Sequence, residues 1–120
     1  MDTERRKIVF ADDNHDVREI VVNSLENAGY YIDTVNDGFE LLTYLKENQD
    51  MDAIILDLMM PECGGLSIFE TVRSLAPASK IIIFTDYSNY KQSVYGKSAD
   101  AFVEKFEGVD KVLKVLEELF

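Results

Sequence analysis

Apolar positions along this chain follow two rhythms that take turns. KIVF (7–10), AIIL (53–56) and KIIIF (80–84) are short continuous runs rich in branched residues. They have strand length and leave no face for water, as in parallel strands covered on both sides. YYIDTV (30–35) reads as another strand, closed by the turn NDG, and AFV (101–103) as a last short one. Between these runs the spacing changes to three and four, the helical period. DDNHDVREIVVNSLENAGY places Val17, Ile20, Val21, Leu25 and Ala28 on one face and ends at Gly29, a C-cap residue. FELLTYLKEN (39–48) aligns Phe39, Leu42 and Leu45, with Leu41 beside the stripe. LSIFETVRSL (66–75) is stopped by Pro77, residues 86–98 form a weaker helical stretch, and VDKVLKVLEELF (109–120) gathers Val112, Val115, Leu116 and Leu119.

Strand and helix thus alternate five times with no internal repeat. Right-handed crossovers return each strand to one sheet, which predicts an α/β, doubly wound, five-stranded parallel sheet with helices on both faces. The first and last helices are expected on one face and the middle helices on the other. Residues 1–120 are read as one domain, with no output domain following.

In such sheets ligands meet the carboxyl ends of the strands near the switch in strand order. The residues at those ends are acidic. Strand 1 runs into Asp12 and Asp13, strand 3 into Asp57, strand 4 into Thr85 and Asp86, strand 5 into Glu104 and Lys105. In the order 2-1-3-4-5, strands 1 and 3 are neighbours, so Asp12, Asp13 and Asp57 converge. Asp57 is the exception in an otherwise apolar run from Ala53 to Met60. A carboxylate there is costly unless it is paired or coordinated. A hard cation such as Mg²⁺ takes carboxylate oxygens and accepts those of a phosphoryl group. With its charge so offset, Asp57 is a candidate nucleophile for an aspartyl phosphate, with Lys105 and Thr85 as donors to the phosphoryl oxygens. Taken singly, these residues also have plain readings: helix-end acids, a strand-end threonine, a solvated lysine. Asp57 has the weakest such reading.

Composition narrows the partners. The net charge of −11 excludes general nucleic-acid binding. No apolar run approaches membrane-spanning length and the N-terminus lacks a leader-like core, so a cytoplasmic protein without membrane contact is expected. Cys63 is the one cysteine and His15 the one histidine, which rules out an internal disulfide and a histidine metal cluster.

These residues resemble the receiver domains of two-component response regulators, which have the flavodoxin-like fold. The resemblance covers essentially the whole chain: IVFADDN, AIILDLMMPECGGL, IIIFT and SADAFVEKF match the family's diagnostic stretches. It implies that Asp57 accepts a phosphoryl group from a histidine kinase or histidine phosphotransferase. It also implies that Asp13, Asp57 and the backbone carbonyl of Met59 bind Mg²⁺ directly, with Asp12 acting through metal-bound water. Thr85 and Phe102 take the switch positions and Lys105 pairs with the phosphoryl group. Met59, Asp86 and Tyr87 take positions that tune phosphorylation and its lifetime. A downstream protein partner is implied, and homodimerisation is a family habit that no residue here compels. The chain departs from the pattern at Phe106, where proline with a cis peptide is usual. Cis before a non-proline costs about 2.5–4 kcal/mol, so a trans bond with a less well placed Lys105 is expected. Asp86 stands where a small residue is usual, and Gly64 where an acid is common. Two alternatives stay open: a pseudo-receiver that binds partners without being phosphorylated, and a Mg²⁺ phosphatase with an aspartate nucleophile. The phosphatase reading lacks the second acid two positions on, where Met59 stands.

Overall fold

A computed structural model of the chain describes residues 5–58, 60, 65–86 and 97–120, with side chains described from residue 68 onward in the helix that begins at 65. The strands are β1 (Lys7–Ala11), β2 (Tyr31–Val35), β3 (Ala53–Leu56), β4 (Lys80–Thr85) and β5 (Ala101–Glu104). They form one parallel sheet in the order β2-β1-β3-β4-β5. The helices are α1 (His15–Asn27), α2 (Gly38–Glu47), α3 (Gly65–Leu75) and α4 (Val109–Leu119), with a short 3₁₀ turn at Lys105–Glu107. The weaker helical stretch expected at 86–98 falls largely outside the described residues, as do Cys63, Gly64, Tyr90 and Tyr95.

Alternating residues of each strand feed two cores, because successive strand side chains point to opposite faces. Val9, Ile54, Leu56, Ile81 and Ile83 pack under α2 and α3. Ile8, Phe10, Ile55, Ile82 and Phe84 pack under α1 and α4. The described helices divide between the faces as the alternation predicts.

Local sequence explains the helix ends. Asn14 caps α1 by accepting from Val17 N at 3.0 Å, and Asp37 caps α2 by accepting from Glu40 N at 2.9 Å. Past the end of α1, Gly29 has φ of 96°, a left-handed conformation that glycine takes without strain. There Tyr30 N still donates to Leu25 O, so β2 begins at Tyr31 rather than at Tyr30.

Two helical faces differ from the sequence reading. Ile20 is 57% exposed, and the buried stripe of α1 is Val21 and Leu25. At 3.6 residues per turn, Ile20 lies about 140° round the axis from Leu25, outside the stripe. In α2 the buried pair is Leu41 and Leu45, while Phe39 is 58% exposed and Leu42 partly buried. The i, i+4 pair shares one side, and Phe39 lies two residues, about 200°, from Leu41.

The amino-terminal end of the sheet is tied by ion pairs. Lys7 pairs with Asp50, Arg6 lies 3.6 Å from Asp52, and Arg73 lies 3.2 Å from Asp100. The carboxyl-terminal end is arranged differently.

Candidate functional site

The first residues beyond β1 and β3 are held side by side by the ladder itself. Ala11 pairs with Leu56, and Asp57 N donates to Ala11 O at 3.1 Å. Asp12 N donates to Val35 O at 3.2 Å. These bonds continue the sheet for one more residue and bury Asp12 completely and Asp57 to 4% exposure. Asp13, next in the chain, is exposed. Oxygens of Asp12, Asp13 and Asp57 all lie within 4.8 Å of one another.

Donors arrive from the two neighbouring strands. Thr85, buried at the end of β4, donates its hydroxyl to Asp57 Oδ1 at 3.1 Å. Lys105 follows β5 and donates from Nζ to Asp57 Oδ2 at 3.1 Å; the same ammonium lies 2.6 Å from Asp12 Oδ2. Burial alone would lower the Lys105 pKa, but the hydrogen bond to Asp12 and the charges of Asp57 and Asp12 outweigh it and hold the ammonium above its ordinary range. The peptide after Lys105 is trans, as Phe106 predicts, yet Lys105 is well placed. The 3₁₀ turn explains this: Glu104 N donates to Glu107 Oε2 at 2.9 Å, closing a capping box that fixes the chain where Lys105 leaves the strand. Phe106 points outward, 82% exposed.

Of the residues expected at the strand ends, Asp12, Asp13, Asp57, Thr85 and Lys105 therefore meet in one place. Asp86 is exposed and lines the same cleft of about 500 Å³ with Asp13, Asp57 and Lys105. Met59 and Tyr87 lie outside the described residues. His15 lines the cleft mouth, exposed, with Nδ1 3.5 Å from Asp16 and 3.8 Å from Glu19. A second cleft of about 590 Å³ opens at the other end of the sheet, where Lys7 is paired with Asp50 and Asp33 accepts from the Tyr44 hydroxyl. Two contributors were missed in sequence. Asn14 N donates to Asp12 Oδ1 at 2.8 Å, and Arg18 Nη1 donates to Asp12 O at 2.8 Å. Asn14 had a signal, being an N-cap residue before an apolar helix. Arg18 had none.

All three clustered ligands offer carboxylate oxygen, the donor a hard divalent cation prefers, at a spacing one ion can bridge. The residues fit Mg²⁺.

The family model of the response regulator receiver domain matches residues 8–117. The chain belongs to the response regulator receiver domain family. This receiver domain is 34% identical over 95 residues to the response regulator MprA of Mycobacterium sp. (strain KMS), a match spanning 79% of the chain and 41% of MprA. The chain thus spans less than half the length of these curated relatives. Its structure is similar to the response regulator TrrA of Thermotoga maritima in complex with Mg²⁺–BeF. The TM-score is 0.87 at 31% identity, covering 96% of this chain and 99% of TrrA. TrrA in complex with the histidine kinase ThkA is similar too, with a TM-score of 0.84 at 31% identity over 96% of this chain and 98% of that one.

In this receiver domain Thr85 is the register partner of Glu104 and Ile83 of Phe102. Paired residues and residues two apart share a face, so Thr85 and Phe102 stand diagonally on the same side of the sheet. Phe102 is half-buried against the core under α2 and α3. Among the described residues no helix is long and apolar enough to cross a membrane.

Proposed function

We propose that Asp57 of this receiver domain accepts a phosphoryl group from the phosphohistidine of a histidine kinase or phosphotransferase. The observation that carries the reading is the convergence of Thr85 and Lys105 on the two oxygens of Asp57, beside Asp12 and Asp13. The complexes known for TrrA, with Mg²⁺–BeF and with ThkA, support it. Asp13 and Asp57 would hold the Mg²⁺, with the Met59 carbonyl that the resemblance implies, and Asp12 would act through a metal-bound water. Bound there, the ion offsets the charge of the phosphoryl oxygens.

An Asp57 oxygen forms the new bond to phosphorus as the phosphorus–nitrogen bond breaks, and the leaving imidazole keeps the electron pair. Lys105 exchanges its contact with Asp57 Oδ2 for a phosphoryl oxygen, and Thr85 turns its hydroxyl to another. The place Thr85 leaves is on the side where Phe102 stands, which lets the aromatic ring move inward. Phosphorylation thereby biases an existing two-state equilibrium. Water later attacks phosphorus, inorganic phosphate leaves and the Asp57 carboxylate is regenerated, so the domain assists only its own phosphorylation and dephosphorylation. Asp86 places one more negative charge at the entrance and slows anionic donors. Met59 and Tyr87 restrict the attacking water. Residues 1–120 act as one receiver unit in the cytoplasm, passing the signal to a downstream protein.

The test is intact-mass analysis after incubation with acetyl phosphate, with and without Mg²⁺, on the wild type and Asp57→Asn. The expected result is a Mg²⁺-dependent gain of one phosphoryl group, absent from the variant. A gain that persists in Asp57→Asn overturns the assignment of the acceptor.

A further inference from the structure

Each polar group of Asp12 has a different partner. Its N–H donates to Val35 O, its Oδ1 accepts from Asn14 N, and its Oδ2 lies 2.6 Å from Lys105 Nζ. Its carbonyl accepts from Arg18 Nη1 at 2.8 Å. The first three hold the strand end and the carboxylate. The fourth holds the peptide plane between Asp12 and Asp13, and no other bond fixes that plane from the carbonyl side among those described. Asp13 is exposed, so packing does little to orient its carboxylate. What fixes its direction is the backbone from which it leaves.

We propose that Arg18 is a positioning residue for the cation site: by gripping the Asp12 carbonyl it aims Asp13 at the oxygens of Asp57 and Asp12. Arg18 touches neither cation nor phosphoryl group and acts through the Asp12–Asp13 peptide. Its place on α1 suits this role. The helix starts at the Asn14 cap, and Arg18 N donates to Asn14 O at 3.0 Å. The guanidinium therefore reaches back over the first turn from a rigid base. Groups that orient metal ligands from behind commonly change metal affinity by about 10–100-fold when removed.

Charge and position make opposite demands here, which makes the inference decidable. Arg18 is a cation close to a cation site, so by Coulomb repulsion alone its removal would tighten Mg²⁺ binding. If it positions Asp13, its removal weakens binding. The sign of the change separates the two.

This inference rests on the proposed Mg²⁺-dependent function, and the experiment tells the two apart. Mg²⁺ is titrated calorimetrically into the wild type, Asp57→Asn, Arg18→Met and Arg18→Lys, all as the full chain. Folding is checked by circular dichroism in metal-free buffer. Arg18→Met keeps the apolar stem and is expected to bind Mg²⁺ about tenfold more weakly, with Arg18→Lys recovering part of the loss through its ammonium. With acetyl phosphate, Arg18→Met needs more Mg²⁺ to reach half-maximal phosphorylation but attains the wild-type maximum, a split that a general structural defect would not give. If Arg18→Met fails to fold, Arg18→Gln, too short to reach the carbonyl, carries the same expected loss. A wild type that binds Mg²⁺ beside a folded Arg18 variant that binds it equally or more tightly overturns the positioning role. A wild type that takes up no Mg²⁺ overturns the proposed function and this inference with it.

Discussion

Neutralising Asp57 should make the metal-free domain more stable, although it removes the charged acceptor of the hydrogen bonds from Thr85 and Lys105. Asp57 faces two carboxylates within 4.8 Å and one ammonium at 3.1 Å. At an effective dielectric of about 20, unit charges at 4.8 Å interact by about 3.5 kcal/mol and at 3.1 Å by about 5 kcal/mol. Asp13 is exposed, so its repulsion is roughly half that of Asp12. The repulsions then sum to about 5 kcal/mol and nearly cancel the attraction of Lys105. What remains is the desolvation of a carboxylate only 4% exposed, which costs several kcal/mol before the hydrogen bond from Thr85 offsets part of it. In the Asp57→Asn variant the amide oxygen still accepts from Thr85 and the side chain carries no charge. The expected gain is about 1–3 kcal/mol, or roughly 3–5 °C in Tm for each kcal/mol in a domain of this size. The assay is thermal and urea unfolding of wild type and variant in EDTA, then at rising Mg²⁺. Mg²⁺ at about ten times its Kd adds about 1.4 kcal/mol to the wild type and less to the variant, so the gap should narrow. A variant less stable than wild type in EDTA, or two proteins stabilised equally by Mg²⁺, would refute the reasoning.

Leu25 is fully buried under α1 whereas Ile20 on the same helix is 57% exposed. Leu25→Ala should therefore cost about 2–4 kcal/mol and Ile20→Ser less than about 0.5 kcal/mol, read by urea denaturation. Asp37→Ala removes the α2 cap bond to Glu40 N and should cost about 1 kcal/mol in the same assay. Burial raises the Tyr44 pKa well above its ordinary value near 10, and the hydrogen bond to Asp33 at 2.6 Å raises it further. The unfolded chain releases that proton first, so this contribution is whole below about pH 10 and is lost as pH rises above it. Tyr44→Phe should give a shallower fall of stability with pH between about 10 and 12, and an unchanged slope would count against the assignment.

How much was legible depended on whether one period dominated. AIIL has no polar alternative and became β3 with the same bounds. The acids at strand ends were equally legible, because in a parallel sheet their place follows from strand order. Ile20 and Phe39 were misplaced because each helix offers more apolar residues than one face can hold, and the sheet decides which pair is buried. Lys105 was expected to suffer from the residue after it. What kept it in place was Glu107, whose carboxylate reaches back to Glu104 N, a pairing hidden among many surface acids. Arg18 could not be found at all, since its target is a backbone carbonyl and carries no mark in sequence.

The sheet has two ends with different obligations. Its amino-terminal end is tied by the ion pairs of Lys7, Arg6 and Arg73 with Asp50, Asp52 and Asp100. At the carboxyl-terminal end, Asp12, Asp57 and Lys105 each stand one residue beyond a strand and Thr85 is the last residue of its own. Loop length is therefore free to drift at one end and frozen at the other. Inserting a residue after Gly29 or within 48–51 lengthens a connection and leaves every strand register intact. The same insertion between Ala11 and Asp12, or between Glu104 and Lys105, moves a functional group by one full residue and turns it to the opposite face. Variation among descendants of this chain should accordingly accumulate as length at the bottom of the molecule and as side-chain identity at the top.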